Sequence, residues 1–200
     1  MRIFIIGGNG TIGKRVVAHY TQAHEVLVGG RSKGDILIDI ADSASIRQAF
    51  RQVGTLDAIL CIAGEARWAP FEQLSEEDYY VGIRSKLMGQ VNVVRIGKEY
   101  LSPGGAITLS TGILADDPVI NTASASMVNG ALHSFVQAIN LEIADGIRVN
   151  AVSLGLVEDA YERYKDYFPG HMPISMEQAV NAYVRSVDGR GRGEIIRVYG

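Results

Sequence analysis

Only one cysteine, Cys61, occurs in the 200 residues, so no disulfide can form within the chain. The four histidines, His19, His24, His133 and His171, stand at no metal-ligand spacing with it or with one another, and no metal site is expected. Long apolar runs are missing too. The first, Ile3 to Ile6, is interrupted at once by Gly7 and Gly8; it is too short for a signal-peptide core and far too short to span a bilayer. A cytoplasmic protein with no membrane partner is expected. Acids and bases are interspersed at a formal net charge of −3, with neither a basic block nor an acidic tail, so nothing electrostatic favours nucleic acid. A small-molecule substrate is the expected partner. No repeat, low-complexity tract or linker divides the chain, and 47% hydrophobic residues suffice for one buried core, so a single domain over 1–200 is expected.

What is present is an alternation of short β-branched runs with longer amphipathic stretches. This is the pattern of strands buried on both faces and joined by crossover helices. The expected strands are Arg2–Ile6, Glu25–Gly29, Ile36–Ile38, Leu56–Ile62, Ala106–Ser110, Ile147–Ser153 and Glu194–Tyr199. Helical signals cover Thr11–Tyr20, Ser43–Val53, Glu76–Tyr100, Ser124–Ala144 and Met176–Val187, with Ser43 and Ser175 as N-caps. The fourth helix places Val128, Ala131, Leu132, Phe135 and Ile139 on one stripe. Pro103-Gly104-Gly105 and Asp188-Gly189-Arg190-Gly191 read as turns. Residues 155 to 174 lack clear periodicity, as a lid or binding loop would.

Directly after the first strand comes Gly7-Gly8-Asn9-Gly10-Thr11-Ile12-Gly13, leading into a helix. Glycines there let the chain turn tightly and let backbone amides approach a pyrophosphate, while the helix N-terminus offers free N–H groups and partial positive charge. The pattern is that of a Rossmann-type doubly wound parallel sheet of about seven strands, three-layer α/β/α, binding a dinucleotide. The acid that would accept from a ribose 2′-hydroxyl at the end of the second strand is absent. Val26-Leu27-Val28 instead runs into Gly29-Gly30-Arg31-Ser32, placing a guanidinium and a hydroxyl where a 2′-phosphate would be held. NADP(H) is therefore favoured over NAD(H), although Arg31 can also be read as a solvated turn residue. Lys14, just past the last glycine, reads as a solvated helix residue that can add charge.

The segment Ile147-Arg148-Val149-Asn150-Ala151-Val152-Ser153-Leu154-Gly155 resembles the Ile-Arg-Val-Asn-Ala-Val-Ser-Pro-Gly run of the short-chain dehydrogenases/reductases. The resemblance covers essentially the whole chain. It implies seven parallel strands with NAD(P)(H) across their C-terminal ends, and hydride transfer between nicotinamide and an alcohol or carbonyl. It implies that Asp39 and Ile40 meet the adenine, and that Ala63-Gly64 end the fourth strand beside the cofactor, with Gly155 and Val157 completing the set. The family's Tyr-x-x-x-Lys, in which an ammonium one turn away lowers a phenol pKa, is missing. Ala125 stands at the Tyr position and Asn129 at the Lys position, with Ser124 or Ser126 available under a shift of one. Thr111 corresponds to the family's catalytic Ser, with Ser110 as the alternative. Lys86 stands where its Asn is expected, so the resemblance implies that Lys and Asn are exchanged between positions 86 and 129.

Two readings of Lys86 stay open: a cation retained in the active cleft, or a solvated helix residue. Tyr161, Tyr164 and Tyr167 read either as a wall of the substrate cleft or as one face of a short packed helix. Trp68 reads as a cleft edge or an anchor, His171 as exposed, and Cys61 as core. The resemblance also implies a homodimer or homotetramer through the helices near 76–100 and 124–144. Two functions follow: an NADP(H)-dependent oxidoreductase acting on a small carbonyl/alcohol or activated double bond, and a non-catalytic NADP(H)-binding sensor or interaction module.

Overall fold

The computed structural model describes all 200 residues. Its strands are β1 (Arg2–Ile6), β2 (Glu25–Gly30), β3 (Ile36–Leu37), β4 (Leu56–Cys61), β5 (Leu101–Gly112), β6 (Arg148–Leu154) and β7 (Ile195–Val198). They form one seven-stranded sheet in the order β3-β2-β1-β4-β5-β6-β7, and every pair is parallel. The order reverses beside β1, which opens a crevice at the C-terminal ends of β1 and β4 where ligands of such sheets bind.

Alternation along each strand sends successive side chains to opposite faces. Phe4, Ile6, Ile59, Cys61, Ile107 and Leu109 pack under α2 (Ser43–Val53), α4 (Gly89–Gly97) and α5 (Ala123–Ile139). Ile3, Ile5, Ala58, Leu60 and Val152 pack under α1 (Thr11–Tyr20) and α7 (Met176–Asp188). The result is the expected three-layer α/β/α arrangement. No helix is long and apolar enough to cross a membrane.

Several boundaries differ from the sequence reading. Asp42 rather than Ser43 caps α2, its carboxylate accepting from the Ala44 amide at 2.8 Å. Ser175 caps α7 in a capping box with Gln178. Pro103-Gly104-Gly105 does not end a chain element; it bulges within β5, where pairing with β4 jumps from Leu56↔Leu101 to Ala58↔Ala106. The helix expected over 76–100 is interrupted. An α-helix, α3 (Glu76–Gly82), passes through a π-turn at Ile83–Met88 into α4. The buried stripe of α5 is Ser124, Ala125, Val128, Asn129, Leu132, His133 and Val136; Ala131, Phe135 and Ile139 sit at its half-buried margin. Polar residues thus face the interior at the N-terminal half of α5, which hydrophobic periodicity cannot reveal. The stretch after β6 is tied at both ends by a parallel bridge between Val157 and Ile174. It holds the short helix α6 (Tyr161–Tyr164).

Candidate functional site

The glycine loop is closed by its own backbone. Gly7 donates to the Gly29 carbonyl at 2.8 Å and accepts from Gly10 at 3.0 Å. A Cβ on Gly13 would lie 2.2 Å from the Gly7 oxygen, and Gly7 itself sits at φ +86° with the Ile62 carbonyl pressed against it. Only glycines allow this approach, which seats the start of α1 against the ends of β1 and β4. Gly10 is the N-cap of α1 and brings no side-chain acceptor, so Thr11 and Ile12 begin a helix whose first turn lacks a side-chain cap. Asn9 donates from Nδ2 to the Lys33 carbonyl at 2.8 Å and fixes the loop to the turn after β2.

Beside this loop lies a cleft of about 250 Å³ lined by Gly7, Arg31, Asp39, Ile40, Ala63 and Gly64, with Glu65 and Ser85 on its far wall. Arg31 reaches across it to Glu65 at 3.4 Å, and both side chains are largely exposed. The pair is therefore weak and open to exchange for another anion. Ser32 lies on the exposed turn next to Arg31 and is not part of that lining. Gly155 and Val157 are not part of that lining either. Gly155 donates to Val198 and Val157 bridges to Ile174, so both hold the loop after β6 to its neighbours.

A second cavity, of about 200 Å³, shares Gly64 with the first and is lined by Lys86, Thr111, Ala125 and Asn129, with Trp68 at its edge. β5, the π-turn and α5 converge here. The π-turn brings Lys86 under Gly64, whose φ of +122° leaves no room for a Cβ, since one would lie 2.8 Å from the Lys86 Cα. Such extra-residue turns cluster at functional sites. Lys86 Nζ donates to the Ser110 carbonyl at 3.0 Å, and burial lowers its pKa from the ordinary lysine value to about 8. Asn129 is buried and donates from Nδ2 to the Ala125 carbonyl at 2.8 Å, while its Oδ1 has no partner. An unsatisfied buried acceptor at a cavity wall costs free energy unless a ligand supplies the donor.

Thr111 and Ser110 part company because neighbouring strand residues face opposite ways. Thr111 faces the cavity. The Ser110 hydroxyl points to the other side of the sheet and pairs with the Tyr183 hydroxyl at 2.8 Å, so Ser110 offers the cavity's surroundings only its backbone. Its amide and carbonyl are clamped by the buried Gln90 side chain, which also donates to the Ala63 carbonyl at 3.2 Å. Gln90 thus ties the ends of β4 and β5 together beneath the site.

Behind Thr111 stands His133, with Nε2 2.9 Å from Oγ1. Sequence reasoning passed over it, although it lies four residues beyond Asn129 on the same face of α5. Glu65 and Gln90 were also missed: Glu65 follows Gly64 directly, whereas nothing in the spacing marks Gln90. The polar residues of the Ile147–Gly155 segment are structural. Arg148 donates to the Ser186 and Val187 carbonyls at the end of α7, and Asn150 bridges to Gly191 and Glu194.

A third cavity, of about 540 Å³, opens from Gly64 and Glu65 and is walled by Trp68, Arg163, Tyr164 and Tyr167. Trp68 lies 5.7 Å from Tyr164 and 5.9 Å from Tyr167, centroid to centroid. Trp68 is both anchor and cleft edge. Tyr161 is not part of this wall; like Trp68 and Tyr164 it packs on the cluster that contains Leu114 and Phe168, and His171 pairs with Asp117 at 3.4 Å. Cys61 is fully buried, and its thiol is pushed up to about 12, so it is core.

A family model described as enoyl-(acyl carrier protein) reductase matches residues 13–182. Among curated proteins the chain is 28% identical over 190 residues to a probable tetrahydroxynaphthalene reductase of Zymoseptoria tritici, covering 87% of this chain and 71% of that protein. It is 28% identical over 134 residues to the 2,3-dihydro-2,3-dihydroxybenzoate dehydrogenase of Escherichia coli, covering 64% of this chain and 54% of that protein. The latter match thus spans about half the length of the relative. Among solved structures, the protein lin1944 of Listeria innocua superposes over 100% of both chains at a TM-score of 0.97 and 38% identity. A small-chain dehydrogenase solved in complex with NADPH superposes over 98% of this chain and 96% of its own at a TM-score of 0.86 and 26% identity.

Proposed function

We infer function from one premise: the chain belongs to the short-chain dehydrogenase/reductase family of oxidoreductases. On that premise it is an NADPH-dependent reductase of a small carbonyl or activated double bond. The observation that carries the reading is the meeting of Lys86, Thr111 and Asn129 around one cavity that shares Gly64 with the cleft beside the glycine loop.

The residues fit such a cofactor. The glycine cradle at Gly7 and Gly13, which a Cβ would fill, brings the start of α1 close enough for its amides to bind a pyrophosphate. Asp39 and Ile40 form the wall suited to an adenine. Arg31 takes a 2′-phosphate by releasing Glu65, a dianion being a stronger partner than an exposed carboxylate. The orphan Oδ1 of Asn129 and the Lys86 ammonium suit ribose hydroxyls. The bound nicotinamide supplies a hydride. Thr111 orients the substrate oxygen, and the aromatic wall of Trp68, Tyr164 and Tyr167 covers a planar substrate. The bound structure of the small-chain dehydrogenase with NADPH supports the cofactor choice by likeness.

The test is a thermal-shift titration with NADPH and NADH in wild type and Arg31→Ala, followed by a panel of carbonyl and enone compounds. Preferential stabilisation by NADPH is expected, with a loss of about 10-fold or more in NADPH affinity in the variant and little change for NADH. Equal responses to both nucleotides would overturn the NADPH assignment. Binding without turnover of any compound would favour the sensor function instead. The active form is proposed to be a homodimer or homotetramer through the helices near 76–100 and 124–144, where Val81, Met88 and Met127 are exposed apolar side chains.

A further inference from the structure

Reduction of a carbonyl needs a proton as well as a hydride, and Ala125 stands where the family's phenol would be. The inference here rests on the reductase reading above. We propose that His133 is the proton source for the reaction, acting through the hydroxyl of Thr111, a residue that lines the cavity.

The geometry is a chain from the cavity inward. Thr111 Oγ1 lies 2.9 Å from His133 Nε2, and its one other hydrogen bond is long, donated to the Val152 carbonyl at 3.4 Å. With a proton on Nε2, the imidazole donates to Oγ1, and the hydroxyl hydrogen is held only by the long bond to Val152, from which a substrate oxygen in the cavity can take it. The charged groups that face the imidazole are Asp116, just past the short turn that follows β5, and Arg197 on β7. Asp116 favours the imidazolium; burial, the larger influence, and Arg197 oppose it, so its pKa lies below the ordinary histidine value. Asp116 is itself held in place. Arg197 grips both its oxygens, at 2.8 and 3.1 Å, and the Tyr199 hydroxyl donates to it. Tyr199 is in turn 2.9 Å from Ser153 on β6. The Asp116 side chain remains 33% exposed, which gives the buried imidazole a carboxylate neighbour in touch with solvent.

Hydride adds to the carbonyl carbon, the Thr111 O–H bond breaks as its proton passes to the carbonyl oxygen, and the Thr111 oxygen takes the Nε2 proton of the imidazolium. The products are the alcohol, the oxidised cofactor, an intact threonine and a neutral imidazole, which regains its proton from solvent. In the reverse direction neutral His133 accepts the proton. His133 touches Thr111 rather than the substrate, so it is a positioning and relay residue. The imidazolium drives reduction, so reduction slows as pH rises through the His133 pKa, and alcohol oxidation speeds up over the same interval.

The decisive variant is His133→Gln, because a glutamine amide can keep a hydrogen bond to Thr111 but cannot carry the proton. Reduction of the best carbonyl from the panel is followed at saturating NADPH between about pH 5 and 9 for wild type, H133Q and D116N. NADPH affinity is measured in parallel, and the imidazoles are titrated by NMR in histidine-labelled protein without cofactor. In wild type the break in kcat is expected to coincide with the NMR titration of His133. H133Q is expected to lose about 10²–10⁴-fold in kcat, and the break itself, with NADPH affinity unchanged. D116N should move both the break and the NMR titration to lower pH. If H133Q keeps the wild-type rate and break, the relay is wrong while the reductase reading stands; if wild type neither binds NADPH nor reduces any compound, both fall.

Discussion

Single residues decide whether this site can hold anything. Gly13 lies so close to Gly7 that one methyl group must push the loop off the strand ends. Gly13→Ala should cost about 1–3 kcal/mol in urea unfolding, the range for overpacking, and abolish stabilisation by NADPH. Lys86 makes a prediction of opposite character, since its stem packs beneath Gly64 and its charge is conditional. Its pKa of about 8 means that the ammonium is present below that pH and lost as pH rises through it. NADPH affinity should therefore weaken by about tenfold between roughly pH 7 and 9.5 in wild type, as one charge-assisted hydrogen bond is lost. In Lys86→Met the affinity should be low and flat over that range. A fluorescence titration of NADPH at several pH values checks both, and a wild-type affinity that ignores pH would remove Lys86 from the cofactor site.

At the scale of elements, the ends of β5, β6 and β7 are joined by side chains rather than by the sheet ladder alone. Asp116 follows β5, Arg197 lies on β7, and Tyr199 reaches both Asp116 and Ser153. The Arg197 guanidinium, with help from Tyr199, lowers the Asp116 pKa to about 2. A carboxylate whose folded pKa is depressed adds stability that is present above its unfolded pKa, about 3.9, and is lost as pH falls through the folded value. Acid unfolding should thus steepen between about pH 4 and 2, and Asp116→Asn should flatten that part of the curve. The partners are partly exposed, so the contribution is at most about 1 kcal/mol. Circular dichroism against pH reads the difference. The same network explains why β7 matters to a site it does not line: it carries the arginine that sets the charge next to His133.

For the whole molecule, Val81, Met88 and Met127 lie exposed on the helical pair flanking the second cavity. If these helices meet a second copy, Met88→Lys with Met127→Lys should shift sedimentation from dimer or tetramer to monomer without unfolding the chain. An unchanged sedimentation coefficient would place any interface elsewhere. At this scale the sequence by itself determined the layered architecture, because strands buried on both faces must be apolar throughout and crossover helices must be amphipathic. It also determined the glycine loop beside the first cleft, because Gly7 to Gly13 is contiguous and the physics of a tight turn before a helix is local. Only the tertiary structure decided the chemical end. Thr111 and Ser110 differ by one residue and therefore by a face of the sheet, and the π-turn that carries Lys86 under Gly64 has no hydrophobic signature. Gln90 and His133 look like interior polar residues until β4, β5 and α5 are packed, because a hydrogen bond between elements depends on register and crossing distance, which no local pattern along the chain encodes.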